Sequence, residues 1–251
     1  MKALVRSVSP AMNACELTHL QREPIDIALA AHQHTIYVEQ LVQCGCEILE
    51  VRPEPLLPDS VFVEDTAVVL PELAIITHPG AKSRQAECVS VAESLAPFRN
   101  LYYLTEPYHL DGGDVLIVNK QIYIGLTRRT NADAIYWMAN LLEPYGYQVT
   151  AIPLTACLHL KSAVTQVCTE RLLYNPAWID ADWFKEYSLI PVHPLEPAGA
   201  NALCVGKQVI YSSAYPRTAE RLLQEGIQLH IVDNSEVLKA EGAVTCCSII
   251  F

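Results

Sequence analysis

Short apolar runs separated by polar turns follow one another along most of the chain, and this pattern predicts an α/β protein built from short strands. Paired runs joined by two-residue polar turns predict β-hairpins at residues 62–77, 115–124, 163–174 and 203–211. Apolar residues at helical spacing predict helices over 84–96, 131–145 and 218–224, and one that begins at Pro24 and ends at Gly45. Single strands are expected at 2–8, 46–51, 101–104, 148–152 and 227–232.

The predicted elements repeat in the order hairpin, helix, strand. Two of the hairpins resemble each other directly, with Val115-Leu-Ile-Val-Asn-Lys-Gln-Ile beside Ala202-Leu-Cys-Val-Gly-Lys-Gln-Val. The hairpins begin every 36 to 51 residues, a period typical of repeat arrays and propellers. A fifth hairpin forms if the chain end, 247–251, pairs with the N-terminal strand. We therefore expect one domain over 1–251, closed into a ring, with a mixed α/β sandwich as the alternative.

Composition narrows the class of protein. Hydrophobic residues make up 51% and charged residues 18% of the 251 residues, which suits a sizeable core. Neither an 18-residue apolar run nor a signal peptide is found, and the nine cysteines indicate reduced thiols, so a cytoplasmic protein is expected. The net charge of −11 disfavours nucleic acid and anionic membranes as partners. The cysteines lack zinc-ligand spacing, so no metal is expected.

Polar residues cluster where each unit enters its hairpin, which in a closed ring lies near the centre. The clusters fall at 59–65, 111–114, 159–162 and 242–246. Singly, each has an ordinary structural explanation: Asp-Gly-Gly is common in turns, and His159 between two leucines is typical of a core histidine. The ordinary explanations leave open why such residues recur at the same place in successive units.

Two adjacent cysteines, Cys246 and Cys247, stand near the chain end. A free cysteine is most often buried filler, so a nucleophilic role needs a base, an orienting carboxylate and a substrate pocket elsewhere in the chain. If both lie in a strand at the start of the fifth unit, Cys246 points to the centre and Cys247 points into the core.

The motifs along the chain resemble those of the dimethylarginine dimethylaminohydrolase family, within the guanidino-group modifying superfamily. The resemblance covers nearly the whole chain, and it implies a five-bladed pseudosymmetric α/β propeller of ββαβ-type units. It rests on Phe-Val-Glu-Asp, Leu-Asp-Gly-Gly-Asp-Val-Leu, Gly-Leu-Thr-Arg-Arg-Thr-Asn, Leu-His-Leu-Lys-Ser and Thr-Cys-Cys-Ser.

The resemblance also implies roles for individual residues. Cys246 matches the nucleophile, His159 the general acid and base, and Asp111 the carboxylate that orients it. The positions that match substrate contacts are Asp59, Glu64 and Asp65 for the guanidinium, Arg84 and Arg129 for the α-carboxylate, and Leu17, Ser162, Ala240 and Glu241 for the remaining contacts. Glu241 stands where aspartate is more usual, and the 9–24 loop, a lid in the family, matches only around Leu17.

The implied reaction is hydrolysis of free Nω-methylated arginine to citrulline and an alkylamine, through a covalent adduct on Cys246, without a cofactor. Carboxylates suit a planar, cationic guanidinium because they accept paired hydrogen bonds and supply opposite charge. The bound cation and a protonated His159 both favour the thiolate of Cys246. A small-molecule substrate is the expected partner, with the protein a monomer or homodimer.

Three other functions remain open at this point. Arginine deimination or amidine transfer uses the same kind of site, although deiminases typically carry an inserted helical domain and the chain has only 251 residues. A non-catalytic sensor of arginine-like ligands does not need Cys246, His159 and Asp111 together. A purely structural propeller leaves the inward carboxylates and arginines unexplained.

Overall fold

The computed structural model describes residues 1–251 and contains fifteen strands and six α-helices. The strands are β1 (Lys2–Val5), β2 (Glu47–Glu50), β3 (Ala67–Val69), β4 (Leu73–Ile76), β5 (Asn100–Tyr103), β6 (Val115–Val118), β7 (Gln121–Leu126), β8 (Gln148–Pro153), β9 (Val164–Cys168), β10 (Arg171–Tyr174), β11 (Ser188–Pro191), β12 (Leu203–Val205), β13 (Gln208–Ser212), β14 (Gln228–Val232) and β15 (Ile249–Ile250). The helices are α1 (Ile27–Gln43), α2 (Cys88–Leu95), α3 (Ala132–Leu142), α4 (Leu160–Ala163), α5 (Pro216–Gln224) and α6 (Ser235–Leu238).

The strands form five sheets of three strands each, in the orders β15-β1-β2, β3-β4-β5, β6-β7-β8, β9-β10-β11 and β12-β13-β14. In every sheet the middle strand is antiparallel to the first strand and parallel to the third. The four predicted hairpins are confirmed. The expected pairing of the chain ends is also present, with Leu4 opposite Ile249 in β15 and opposite Leu49 in β2.

Several predicted boundaries differ from the structure for local reasons. Helix α1 begins at Ile27 rather than Pro24, because the Asp26 side chain caps it by accepting a hydrogen bond from the Leu29 N–H. The first part of the predicted 84–96 helix is a 3₁₀ segment, Lys82–Glu87. The third unit carries only a 3₁₀ turn, Ala181–Phe184, where the other units have a helix.

The first strands of all five sheets line a common cavity of about 220 Å³, to which they contribute Val68, Leu116, Thr165, Leu203 and Ile249. Three of these strands follow directly on a short helical segment: residues 63–66 precede β3, residues 112–114 precede β6, and α4 precedes β9. These segments carry most of the polar clusters found in the sequence, so the fold brings the clusters to one end of the common cavity.

The apolar side chains form separate cores between neighbouring elements. The largest has 19 buried residues, including Tyr37 and Leu41 of α1, Val205 of β12, and Cys247 near the chain end. The chain end therefore packs against this core through Cys247. No helix in the structure has both the length and the apolar composition needed to cross a bilayer.

Candidate active site

Cys246 lies in the turn before β15 and lines a small cavity. Its N–H donates to the carbonyl of Ala243 at 3.2 Å, and its carbonyl accepts the N–H of Glu64 at 3.1 Å. Cys247 is buried in the large core. The prediction that both cysteines lie in one strand and point to opposite faces of it was wrong, since β15 begins only at Ile249. The turn nevertheless gives them different surroundings.

The cavity beside Cys246 has a volume of about 20 Å³, room for roughly one water molecule. Among the residues predicted from the sequence, it is lined by Asp59, Asp65, Arg84, Arg129, His159, Ala240, Glu241 and Cys246. Sequence reasoning missed Glu16, Phe62, Leu158 and Gly242, which also line it. Phe62 opens the Phe-Val-Glu-Asp motif and Leu158 opens the Leu-His-Leu-Lys-Ser motif. Their position next to predicted site residues could have indicated that they line the cavity.

Two glycines allow the charged residues to approach one another. A Cβ atom on Gly112 would lie 2.0 Å from the carbonyl oxygen of Glu64, and one on Gly113 would lie 2.7 Å from His159 Nδ1. The Gly113 N–H donates to Asp65 Oδ1 at 2.9 Å. The Asp-Gly-Gly sequence is therefore required for close packing here as well as for its turn.

His159 lies between two buried carboxylates. Its Nε2 is 3.1 Å from Asp111 Oδ2, and its Nδ1 is 3.9 Å from Asp65 Oδ1. Burial alone would lower the pKa of this imidazole, but the charge of Asp65 and the hydrogen bond to Asp111 outweigh burial and raise the pKa to about 9. His159 is therefore a cation at neutral pH, with protons on both ring nitrogens.

Asp65 is held as a carboxylate by the cations around it. Burial opposes its charge, but His159 and Arg84 more than compensate and lower its pKa to about 2. Arg84 Nη1 donates to Asp65 Oδ2 at 2.5 Å, and Arg84 Nη2 donates to Glu87 at 2.8 Å and to the Phe62 carbonyl at 3.0 Å. Arg84 was expected to hold a substrate carboxylate. Instead, its buried guanidinium is engaged mainly by protein acceptors.

Arg129 contacts both the buried carboxylate of Asp111 and the 9–24 loop. Its Nη1 lies 3.5 Å from Asp111 Oδ2, and its Nη2 donates to Thr18 Oγ1 at 3.4 Å. Asp111 itself is fully buried and accepts the N–H of Gly80 at 2.8 Å. Arg129 therefore has fewer and longer contacts to protein acceptors than Arg84, although both arginines line the small cavity.

Asp114, which was not predicted as a site residue, holds the backbone next to His159 by a hydrogen bond. Its Oδ2 accepts the hydroxyls of Thr127 and Thr130, each at 2.7 Å, and its Oδ1 accepts the N–H of Leu160 at 3.0 Å. Burial raises its pKa to about 6. The N–H of Leu160 opens α4 directly after His159, so Asp114 fixes the backbone that carries the imidazole.

Glu64 and Ser162 lie away from the small cavity. The Glu64 carboxylate faces the 220 Å³ cavity, where it accepts Lys161 Nζ at 2.6 Å and Thr245 Oγ1 at 2.7 Å. Ser162 lines a different cavity of about 460 Å³, together with Trp178. Glu64 thus shares the 220 Å³ cavity with Thr245 and Ser248, which flank the two cysteines.

The thiol of Cys246 is protonated in the free protein. Burial raises its pKa well above the ordinary value, and the negative charges of Glu64 and Asp65 raise it further. The resting site therefore combines a thiol, an imidazolium ion and several carboxylates. A cation placed among these carboxylates would offset their effect and favour the thiolate.

Three residues of the site carry atoms that could bind a metal ion. Ligand atoms of Asp65, Asp111 and His159 lie within 4.8 Å of one another. However, Asp65 is paired with Arg84, Asp111 faces Arg129, and a protonated imidazole has no lone pair for a metal. The residues suit an ion-pair network better than a divalent cation.

The 9–24 loop covers the cavity through backbone hydrogen bonds to two carboxylates. Asp59 accepts the N–H of Glu16 at 3.1 Å. Glu241 accepts the N–H groups of Thr18 at 3.0 Å and of His19 and Leu20 at 2.5 Å. Leu17, between these contacts, packs against the large core. Because the covered cavity holds only about one water, a larger ligand requires this loop to move.

We expect Glu241→Gln to loosen this loop. The change weakens three hydrogen bonds that a charged acceptor strengthens, and each such bond contributes about 1.5–3 kcal/mol. Hydrogen–deuterium exchange of the peptide containing Thr18, His19 and Leu20 should then become at least roughly tenfold faster.

The matched control is Glu170→Gln. Glu170 and Glu241 both adopt left-handed backbone conformations, with φ of 59° and 55°. Glu170 lies in the β9–β10 turn, so its substitution should leave exchange in the loop unchanged. Equal exchange rates in the wild type and Glu241→Gln would contradict the role of Glu241 in holding the loop.

Comparisons with known proteins identify the family of the chain. The model of the family N,N dimethylarginine dimethylhydrolase, eukaryotic, matches residues 8–190. The chain is 40% identical to the N(G),N(G)-dimethylarginine dimethylaminohydrolase of Streptomyces coelicolor over 251 residues, covering 99% of this chain and 96% of that protein. It is 33% identical to the Pseudomonas aeruginosa protein of the same name, covering 90% of each.

Solved structures show the same fold. A mutant of the Pseudomonas aeruginosa enzyme complexed with citrulline superposes with a TM-score of 0.95 at 31% identity, covering 100% of this chain and 98% of that one. The N-terminal domain of ArgZ, a cyanobacterial arginine dihydrolase, gives a TM-score of 0.85 at 20% identity, covering 99% and 96%, and shares the fold. On this evidence the chain belongs to the dimethylarginine dimethylaminohydrolase family.

Proposed function

We propose that the protein hydrolyses free Nω-methylated arginine, asymmetric dimethylarginine or monomethylarginine, to citrulline and dimethylamine or methylamine. The observation that carries this proposal is the imidazole of His159, held between Asp65 and Asp111, in the same small cavity as the Cys246 thiol. A thiol, an acid and several carboxylates are the groups that nucleophilic substitution at a guanidinium carbon requires.

Recognition of the guanidinium is assigned to carboxylates. Asp59 and Asp65 line the small cavity. Glu64 does not line it, but its negative charge raises the pKa of Cys246. Asp65 is kept ionised in part by Arg84, which is the role we assign to that arginine. Acceptors of this kind suit a cation, whereas acyl transfer needs donors for an oxyanion.

The first half of the reaction forms the covalent adduct. The substrate cation favours ionisation of Cys246, whose proton is released to solvent, and the thiolate attacks the guanidinium carbon to give a neutral tetrahedral adduct. His159 then donates its proton to the methylated nitrogen, the C–N bond breaks, and the amine leaves. An S-alkylthiouronium group remains on Cys246.

The second half uses the neutral His159 as a base. It takes a proton from water as the oxygen attacks the thiouronium carbon, and the second tetrahedral adduct expels the Cys246 thiolate. The protonated product transfers its extra proton to the Cys246 thiolate, which gives the urea group of citrulline and restores the thiol. His159 keeps the proton that it took from water. Each proton that His159 gives in the first half is thus recovered in the second.

A citrulline assay tests the function directly. We expect citrulline from asymmetric dimethylarginine and monomethylarginine, with the matching alkylamine in equal amount, and slower turnover of arginine. Comparable or faster turnover of arginine, with release of ammonia, would instead favour arginine deimination.

We also propose that the five sheets form a closed five-bladed propeller in one domain spanning 1–251. Support comes from the common cavity lined by all five first strands and from the pairing of β1 with β15. All of the site residues belong to a single chain, so one protomer carries a full set of the proposed groups.

Arg129→Ala should raise KM for dimethylarginine by roughly 10–100-fold with a smaller change in kcat. The reason is that a charged hydrogen bond to the substrate α-carboxylate contributes about 1.5–3 kcal/mol of binding. The matched control is Arg128→Ala, which removes the neighbouring, exposed arginine and should leave KM unchanged. An unchanged KM in Arg129→Ala would show that the carboxylate binds elsewhere.

A further inference from the structure

Asn201 is a buried polar residue near the start of the fourth unit, and the proposed reaction gives it no role. It is 6% exposed and lies two residues before β12, just as Asp65 lies two residues before β3. A buried amide needs partners for both its donors and its acceptor, so its contacts show what it holds in place.

The Asn201 amide forms a reciprocal pair of hydrogen bonds with Thr245, the residue before Cys246. Asn201 Oδ1 accepts the Thr245 N–H at 3.1 Å, and Asn201 Nδ2 donates to Thr245 Oγ1 at 3.0 Å. Asn201 Nδ2 also donates to the Lys161 carbonyl at 3.1 Å. This pattern fixes the orientation of the amide, because the oxygen must face an N–H and the nitrogen must face a carbonyl.

The same contacts determine the direction of the Thr245 hydroxyl. A hydroxyl has one proton, and Thr245 Oγ1 already accepts from Asn201, so it donates to Glu64 Oε2 at 2.7 Å. Lys161 Nζ donates to the other oxygen of Glu64 at 2.6 Å. Asn201 therefore contacts both residues that hold the Glu64 carboxylate.

We propose that Asn201 is a positioning residue for the reaction: it fixes the backbone that carries Cys246 and, through Thr245, the Glu64 carboxylate. This inference rests on the proposed function for its effect on turnover. Its physical basis is that attack requires the sulfur within a narrow range of positions, and a displacement of about 1 Å costs roughly 10²-fold in rate. Nothing in the geometry places Asn201 against the substrate itself.

The test compares Asn201→Ala with Asn175→Ala. Asn175 is an equally buried amide, 2% exposed, that donates to the Pro197 carbonyl at 2.7 Å and accepts the Ala177 N–H at 2.8 Å. We expect Asn201→Ala to lower kcat for dimethylarginine by roughly 10–100-fold, with KM changed less than about threefold. Asn175→Ala should have a lower Tm than the wild type but a kcat within about threefold of it.

A second readout does not depend on turnover. Cys246 is alkylated with iodoacetamide over a range of pH, and the Cys246 peptide is quantified by mass spectrometry. Asn201→Asp keeps the acceptor for the Thr245 N–H but adds a negative charge next to Thr245 and Glu64. We expect its alkylation to shift to higher pH, with no shift in Asn175→Ala.

Each outcome decides the proposal. A folded Asn201→Ala with the kcat of Asn175→Ala, or losses of kcat that simply follow Tm in both variants, would overturn it. If Asn201→Ala does not fold, Thr245→Val removes the shared hydroxyl with little change in shape and should show the same selective loss of kcat. If the wild type forms no citrulline, the proposed function fails, and an Asn201→Asp alkylation profile equal to that of the wild type would separately reject the positioning role.

Discussion

Cys246→Ser should abolish citrulline formation, with kcat falling by at least about 10⁴-fold, while Cys247→Ser retains most of the activity. A serine hydroxyl is a far weaker nucleophile than a thiolate, and removal of a covalent nucleophile is among the largest single effects known in enzymes. Cys246 lines the cavity that contains His159, whereas Cys247 is 4% exposed and packs in the core behind it. The measurement is kcat for asymmetric dimethylarginine in both variants.

The two substitutions control for each other because they make the same chemical change at adjacent positions. The Cys247 thiol lies 3.7 Å from the Ala243 carbonyl, which can accept a serine hydroxyl. Cys247→Ser should therefore cost about 1–2 kcal/mol of stability, in the range of ordinary buried substitutions, and little activity. Equal loss of activity in both variants would reject Cys246 as the nucleophile.

Motifs that combine local turn chemistry with a repeat could be predicted from the sequence. The hairpins, their order and the pairing of the chain ends follow from periodicity, and the Asp-Gly-Gly turn marks a point where backbones approach closely. His159, Asp65 and Cys246 share a cavity because each stands at the start of its own unit. A regular repeat can thus bring residues that are distant in the sequence into one cavity.

Features that depend on non-local partners could not be predicted. The ion pair between Arg84 and Asp65, 19 positions apart, gives the buried guanidinium a distant protein partner beside its local partner Glu87. The contacts of Glu241 with the 9–24 loop join residues more than 200 positions apart. The side on which Glu64 presents its carboxylate depends on Lys161 and Thr245. Local pattern carries no information on such contacts.

The opposite pKa shifts of two buried histidines emerged only from the fold. Two histidines of the chain are similarly buried, yet their pKa values shift in opposite directions. Burial lowers the pKa of His34 to about 4, because no carboxylate compensates, whereas Asp65 and Asp111 raise that of His159 to about 9 despite its burial. The sequence shows neither set of neighbours. This contrast provides a matched pair for testing the role of His159.

His159→Gln should lower kcat by roughly 10²–10⁴-fold, the usual contribution of a general acid and base, whereas His34→Gln should stay within about threefold of the wild type. In the wild type, kcat/KM should fall as pH rises through about 9, where His159 of the free protein loses the proton that it donates to the leaving amine. The residual rate of His159→Gln should lack that decline. A residual kcat above about one tenth of the wild type, or the same decline near pH 9, would rule out His159 as the acid.

Stability supplies an independent check on the charge of His159. Its pKa is raised from 6.5 to about 9 on folding, so the folded state binds the proton more tightly than the unfolded state. The resulting stabilisation is fully present below about pH 6.5 and is lost as pH rises through about 9. The Tm difference between the wild type and His159→Gln should therefore shrink from pH 6 to pH 10, while that between the wild type and His34→Gln should not shrink over this range. If the His159→Gln difference were constant with pH, the imidazole would be neutral in the folded protein, and protonation of the leaving amine would need another donor.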